Sequence, residues 1–137
     1  MNQNVLLTIS SLLSVLFFIF HVTDDIVRGI EKGDMWTLTG VPIFVAWLYG
    51  TLVLAGRRSG YIIMILGSIL SMGACVLHTQ GNGILGGRIA NTTGIFFWTW
   101  TLLMLGVTGL FSLILCAHGL WNLRRRKSHS LTTGATS

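Results

Sequence analysis

His21 is followed at the third and fourth positions by Asp24 and Asp25, within FHVTDDIVRGIE at 20–31. On a helix, residues spaced i, i+3 and i+4 share a face. Imidazole and carboxylate together suit zinc, copper, iron or manganese. Three such donors with a fourth position left to water are the ligand set of a catalytic zinc. A second imidazole is available from His78, which closes a later uncharged stretch. The metal-ligand candidates are therefore His21, Asp24, Asp25 and His78, and the cofactor they would hold is a transition metal. The same residues suit a proton relay, because histidine titrates near neutrality. They also suit a structural cluster in which Asp24 or Asp25 pairs with Arg28 or Arg88, or a solvated loop start with ordinary interfacial histidines. Spacing alone leaves these readings open, so the elements that carry the residues must decide.

Those elements are membrane helices. The chain has 137 residues, of which 52% are hydrophobic and only 9% charged, against roughly 25% charged in a soluble domain. A water-soluble monomer is excluded, and so is a disordered chain, which would be polar and highly charged. The four acids Asp24, Asp25, Glu31 and Asp34 fall close together, and the bases form small groups at 28–32, 57–58, 88 and 124–127. Between them lie the uncharged stretches 5–22, 38–56, 60–78 and 89–123. Each approaches or exceeds the roughly 20 apolar residues that cross a bilayer as helix. The expected fold is an all-α bundle of four transmembrane helices at 5–23, 38–56, 60–78 and 94–123.

Four crossings put both termini on one side. That side carries Arg57, Arg58 and the basic run 124–127, while the acids face the other with Arg28, Lys32 and Arg88. The positive-inside rule then places both termini in the cytoplasm, N-in and C-in. The net charge of +5 follows from these anchors, which suit anionic lipid headgroups and give no reason to expect nucleic acid. Residues 1–4 lack lysine and arginine, and no small-x-small site follows 5–22, so the first helix is expected to be retained rather than cleaved. One membrane domain covers 1–127, and 128–137 reads as a disordered cytoplasmic tail.

His21 and His78 fall at a similar depth, on the outer rim, provided that the first helix continues through Asp25. The glycine-rich link 79–93 would then be a plausible lid. His118 has no partner histidine at its own depth, and of the histidines only His21 and His78, near the outer surface, could supply the two imidazoles of a bis-histidine haem, which is not the expected ligand. Cys75 and Cys116 differ in depth by about 10 Å by helix rise, too far for a disulfide. No acid or base lies mid-membrane, where proton-coupled transporters need one. P-loop, Gly-x-Ser-x-Gly and His-Glu-x-x-His patterns are missing.

Small residues mark expected helix contacts: Gly60, Met64, Gly67, Ser71 and Cys75 in the third span, Ala46 and Gly50 in the second, Gly106, Gly109 and Ser112 in the fourth. Trp36, Trp98, Trp100, Tyr61 and Trp121 are expected in the aromatic belts at the headgroups. FHVTDDIVRGIE at 20–31, WLYGT at 47–51 and RRSGY at 57–61 resemble small uncharacterised bacterial four-span membrane proteins. The resemblance implies a bacterial inner membrane and attaches no activity. Together these observations favour a non-enzymatic membrane subunit, scaffold or assembly partner, associating with itself or with other membrane subunits. The alternative is an extracytoplasmic metal- or ligand-binding protein, whether enzyme, sensor or transporter, built on His21, His78 and Asp24 or Asp25.

Overall fold

The computed structural model describes residues 2–29, 33, 38, 40–79 and 94–133, with the side chains of 79 and 126–133 left aside. Glu31, Asp34, Trp36, Arg88 and the glycine-rich link up to 93 lie outside the described residues. Among those described, the chain is helical: α1 (Gln3–Val27), α2 (Gly40–Leu52), α3 (Arg58–Thr79) and α4 (Ile95–Thr133).

Local chemistry sets the helix ends. The side chain of Asn2 caps α1 by accepting from the Asn4 N–H. At the other end the Arg28 N–H closes on the Asp24 carbonyl, and Gly29 then turns the chain at φ +69°. α1 therefore carries helical backbone beyond the expected end at 23 and past Asp25, which meets the condition for His21 and Asp25 to share a face. Pro42 sits in the first turn of α2, where N–H groups lack intrahelical partners anyway. Gly94, at φ +83°, precedes α4, and its carbonyl accepts the Phe97 and Trp98 N–H groups.

α1, α3 and the stretch Ile95–Arg125 of α4 are long and apolar enough to cross a membrane, whereas α2 is a shorter apolar helix. With 13 residues α2 is about 20 Å long. The uncharged stretch 38–56 thus does not form one full-length helix. It loses helical regularity after Leu52, turns through Val53 and Leu54, and reaches Gly56 at φ +77° before α3 begins. Conversely α4, at 39 residues, is about 58 Å long. Its helical backbone passes the expected end at 123 and enters 128–133 of the stretch read as a tail.

α4 packs along both α1 and α3, while α2 packs on α3 and α1. The chain alternates in direction. Gln3 bonds Leu115 and Asp25 bonds Trp98, so α1 and α4 are antiparallel. Asn4 meets Tyr61 and His21 meets His78, so α1 and α3 run the same way.

The inside of this arrangement is unusually polar. Ser10, Ser11, Ser14, Thr51, Ser68, Ser71, Thr101 and Ser112 are buried, while Leu13, Leu16, Leu66, Leu103 and Ile114 are exposed. Several hydroxyls join helices: Ser11 Oγ lies 2.8 Å from Thr51 Oγ1, Trp47 Nε1 donates to Ser11 Oγ at 3.0 Å, and Ser112 Oγ donates to Ser10 Oγ at 2.9 Å. Small residues do the rest. A Cβ on Gly67 would collide with the Trp47 ring, and one on Gly119 with the Tyr61 ring. Gly109 meets Ser71 and Gly106 meets Cys75. The small-residue stripe of α3 is therefore occupied by α2 and α4 of the same chain.

Two aromatic expectations change. Trp100 and Trp121 are exposed, but Trp98 and Tyr61 are buried. Their polar atoms find partners inside, Trp98 on Asp25 and Tyr61 on Asn4, so depth alone misplaces them among the lipid-facing anchors.

Candidate metal centre

Because α1 stays helical through Val27, His21 and Asp25 stand one turn apart on its buried face. Asp24 is offset by one residue, about 100° around the helix. It points instead to Arg28, one turn further on, whose Nε donates to Asp24 Oδ2 at 2.6 Å. The Arg28 Nη2 also donates to the Gly94 carbonyl at 2.8 Å, which ties the end of α1 to the start of α4. The two adjacent aspartates thus have different surroundings. Asp24 belongs to a clasp between helices, and Asp25 belongs to the interior.

His78, at the end of α3, completes the cluster. Oδ2 of Asp25 lies 3.5 Å from His21 Nε2 and 3.4 Å from His78 Nε2. One donor atom from each of His21, Asp25 and His78 can be chosen so that all lie within 4.8 Å of one another. The imidazoles meet edge to face, with centroids 4.7 Å apart. Their nitrogens converge on one carboxylate oxygen rather than facing across a gap wide enough for a macrocycle, so the pair does not form a haem site.

Trp98 supplies what the sequence reading missed. Its Nε1–H donates to the other carboxylate oxygen, Asp25 Oδ1, at 2.6 Å. Its ring packs against both imidazoles, with centroids 5.5 Å from His21 and 5.2 Å from His78. An indole N–H can only donate, which makes it a fitting partner for a buried carboxylate. The signal available in the sequence was its position, four residues after Gly94 at the depth of His78.

The side chains of His21 and Asp25 are almost wholly enclosed, at 2% and 5% exposure, whereas His78 is 23% exposed. Neither ring nitrogen of His21 has a hydrogen-bond partner among the described residues. Burying an unsatisfied polar group costs about 1–3 kcal/mol, and a metal ion bound at Nε2 would remove part of that cost. The four sequence candidates therefore separate: His21, His78 and Asp25 come together, and Asp24 does not join them.

Other candidates lie elsewhere. Cys75 and Cys116 are free thiols, and Cys75 Sγ donates to the Leu102 carbonyl. His118 is at the opposite end, with Nδ1 3.2 Å from Gln3 Oε1. No family model matches the chain, and no curated protein or solved structure does either.

Proposed function

We propose that the protein is a four-span integral membrane protein that binds a divalent first-row transition metal at its extracytoplasmic rim, through His21 Nε2, His78 Nε2 and Asp25 Oδ2. The observation that carries this reading is the pair of distances around Asp25. Metal–ligand bonds of about 2.0–2.1 Å in a tetrahedral site separate neighbouring donor atoms by about 3.3–3.4 Å. The two histidine–carboxylate separations are 3.5 Å and 3.4 Å. These two edges already match such a site, and the donor atoms of all three residues lie within 4.8 Å of one another, so binding requires the histidine–histidine edge to shorten. Zinc fits the nitrogen and oxygen donors best, because it takes a tetrahedral geometry with them readily.

Membrane integration is supported by the exposed leucine, isoleucine and phenylalanine side chains around a serine- and threonine-lined interior. This is the distribution expected where hydrocarbon is the solvent and interhelical contacts use small and polar residues. The charge pattern supports an orientation in which the rim with His21 and His78 faces away from the cytoplasm, and the resemblance would make the membrane a bacterial inner membrane. The stripe on α3 that a scaffold could have used as a contact surface is packed against α2 and α4 of the same chain.

Elemental analysis of detergent-purified protein tests the proposal. Near-stoichiometric zinc or a neighbouring metal is expected in the wild type, and its loss in His21→Ala and in His78→Ala. A wild type that stays metal-free after dialysis against micromolar zinc would sink the reading.

A further inference from the structure

Resting on that metal reading, we infer that the bound ion keeps one exchangeable coordination position, opening beside His78, and that its ligand is a small monoanion. Among the described residues, the side-chain donors that might complete a four-coordinate shell are engaged elsewhere. Asp24 is held by Arg28 at 2.6 Å. The second oxygen of Asp25 accepts from Trp98, so the carboxylate is held to one-atom ligation. The Cys75 thiol, one turn before His78, is turned to the Leu102 carbonyl. Thr101 Oγ1, one turn beyond Trp98, donates to the Trp98 carbonyl. Three protein donors remain among the described residues, and a three-ligand zinc fills its fourth position with water or substrate.

Exposure gives the direction. His21 and Asp25 are closed off, and His78 is the ligand with an open edge. An incoming molecule therefore meets the ion from the His78 side, while Trp98, itself buried, closes the far side of that imidazole.

Charge gives the class. A divalent ion with one carboxylate and two neutral imidazoles carries a net single positive charge. The neighbouring Asp24 does not cancel it, because Arg28 already neutralises that carboxylate. In a site this enclosed an uncompensated charge is costly. A monoanion brings the centre to neutrality, whereas an amine leaves the charge in place and a second cation raises it. Carboxylate oxygen is a good donor for the metals that accept this set.

Cobalt(II) reports the shell directly, since its visible bands follow coordination number and ligand. Full-length protein in mild detergent would be loaded with cobalt(II) and titrated separately with acetate, azide and methylamine. The expected result is a tetrahedral cobalt spectrum that shifts saturably with acetate and azide and stays unmoved by methylamine. Asp24→Asn should leave the acetate shift intact. A tetrahedral spectrum indifferent to acetate and azide would overturn the exchangeable position and leave metal binding standing. If that spectrum became responsive in Glu31→Gln or Asp34→Asn, an acid of the first link would be the fourth ligand, and the inference would again fail. Response to methylamine alone would overturn the anion assignment. Absence of any cobalt band would remove both this inference and the metal reading beneath it.

Discussion

Trp98 Nε1 and Asp25 Oδ1 are 2.6 Å apart, so an indole on α4 fixes the rotamer of a carboxylate on α1. The bond leaves Oδ2 directed at two imidazoles. The indole N–H both orients this carboxylate and partly compensates its burial, as outer hydrogen-bond partners do for metal-ligating groups.

Trp98→Phe keeps the ring and removes the donor. It should lower metal affinity by about 10–100-fold, the usual consequence of losing such an outer partner. The metal-free protein should lose about 1–3 kcal/mol, because Asp25 Oδ1 stays buried without its donor. Competition with a chromophoric chelator and thermal unfolding in detergent would measure the two effects.

The adjacent aspartates should separate in function. Asp25→Asn should abolish metal binding, since the amide is a poor ligand and carries no charge. Asp24→Asn should retain it, at a cost of about 1 kcal/mol in stability from the weakened bond to Arg28. Equal loss in both variants would show that Asp24 is a ligand after all.

Glycine substitutions on α3 should have opposite signs. Gly67→Ala drives a methyl into the Trp47 ring and should destabilise by about 1–3 kcal/mol. At Gly73 nothing lies within 4 Å of a new Cβ. Gly73→Ala should therefore be neutral or stabilise by up to about 1 kcal/mol through helix propensity. Unfolding midpoints in the same detergent would distinguish the two.

Alkaline phosphatase fused after Gly33 or Gly83 should be active, and fused after Ser59 or Ser130 inactive. Activity at the latter two positions would reverse the proposed orientation and place the His21–His78 rim in the cytoplasm.

Much of the site could be read from spacing, and its limits are instructive. His21 and Asp25 are one helical turn apart, which puts them together as soon as α1 is known to continue. His78 follows from its place at the end of an uncharged stretch. Spacing does not decide between Asp24 and Asp25, since both lie within one turn of His21. The decision rests on Arg28, which stands at i+4 from Asp24 and takes it. Trp98 eludes a one-dimensional reading for a different reason. Position along α4 gives its depth, and depth near a helix end suggests the headgroups, but the direction of the ring depends on what α1 and α3 present to it. In the same way the lack of charge over 38–56 shows where a membrane segment is allowed, and leaves open that helical backbone stops at Leu52.

The glycines of α4 also act at a distance from themselves. Gly106 admits Cys75, Gly109 admits Ser71 and Gly119 admits Tyr61, so three contacts at successive heights determine how near α3 lies to α4. His78 and Trp98 stand near one end of that pair of rails, and Trp98 in turn holds the carboxylate of α1. The spacing between His78 and Asp25 is therefore gauged along the length of two helices. Widening the track at Gly119, near the opposite end, would alter the bite of a centre that no residue there touches.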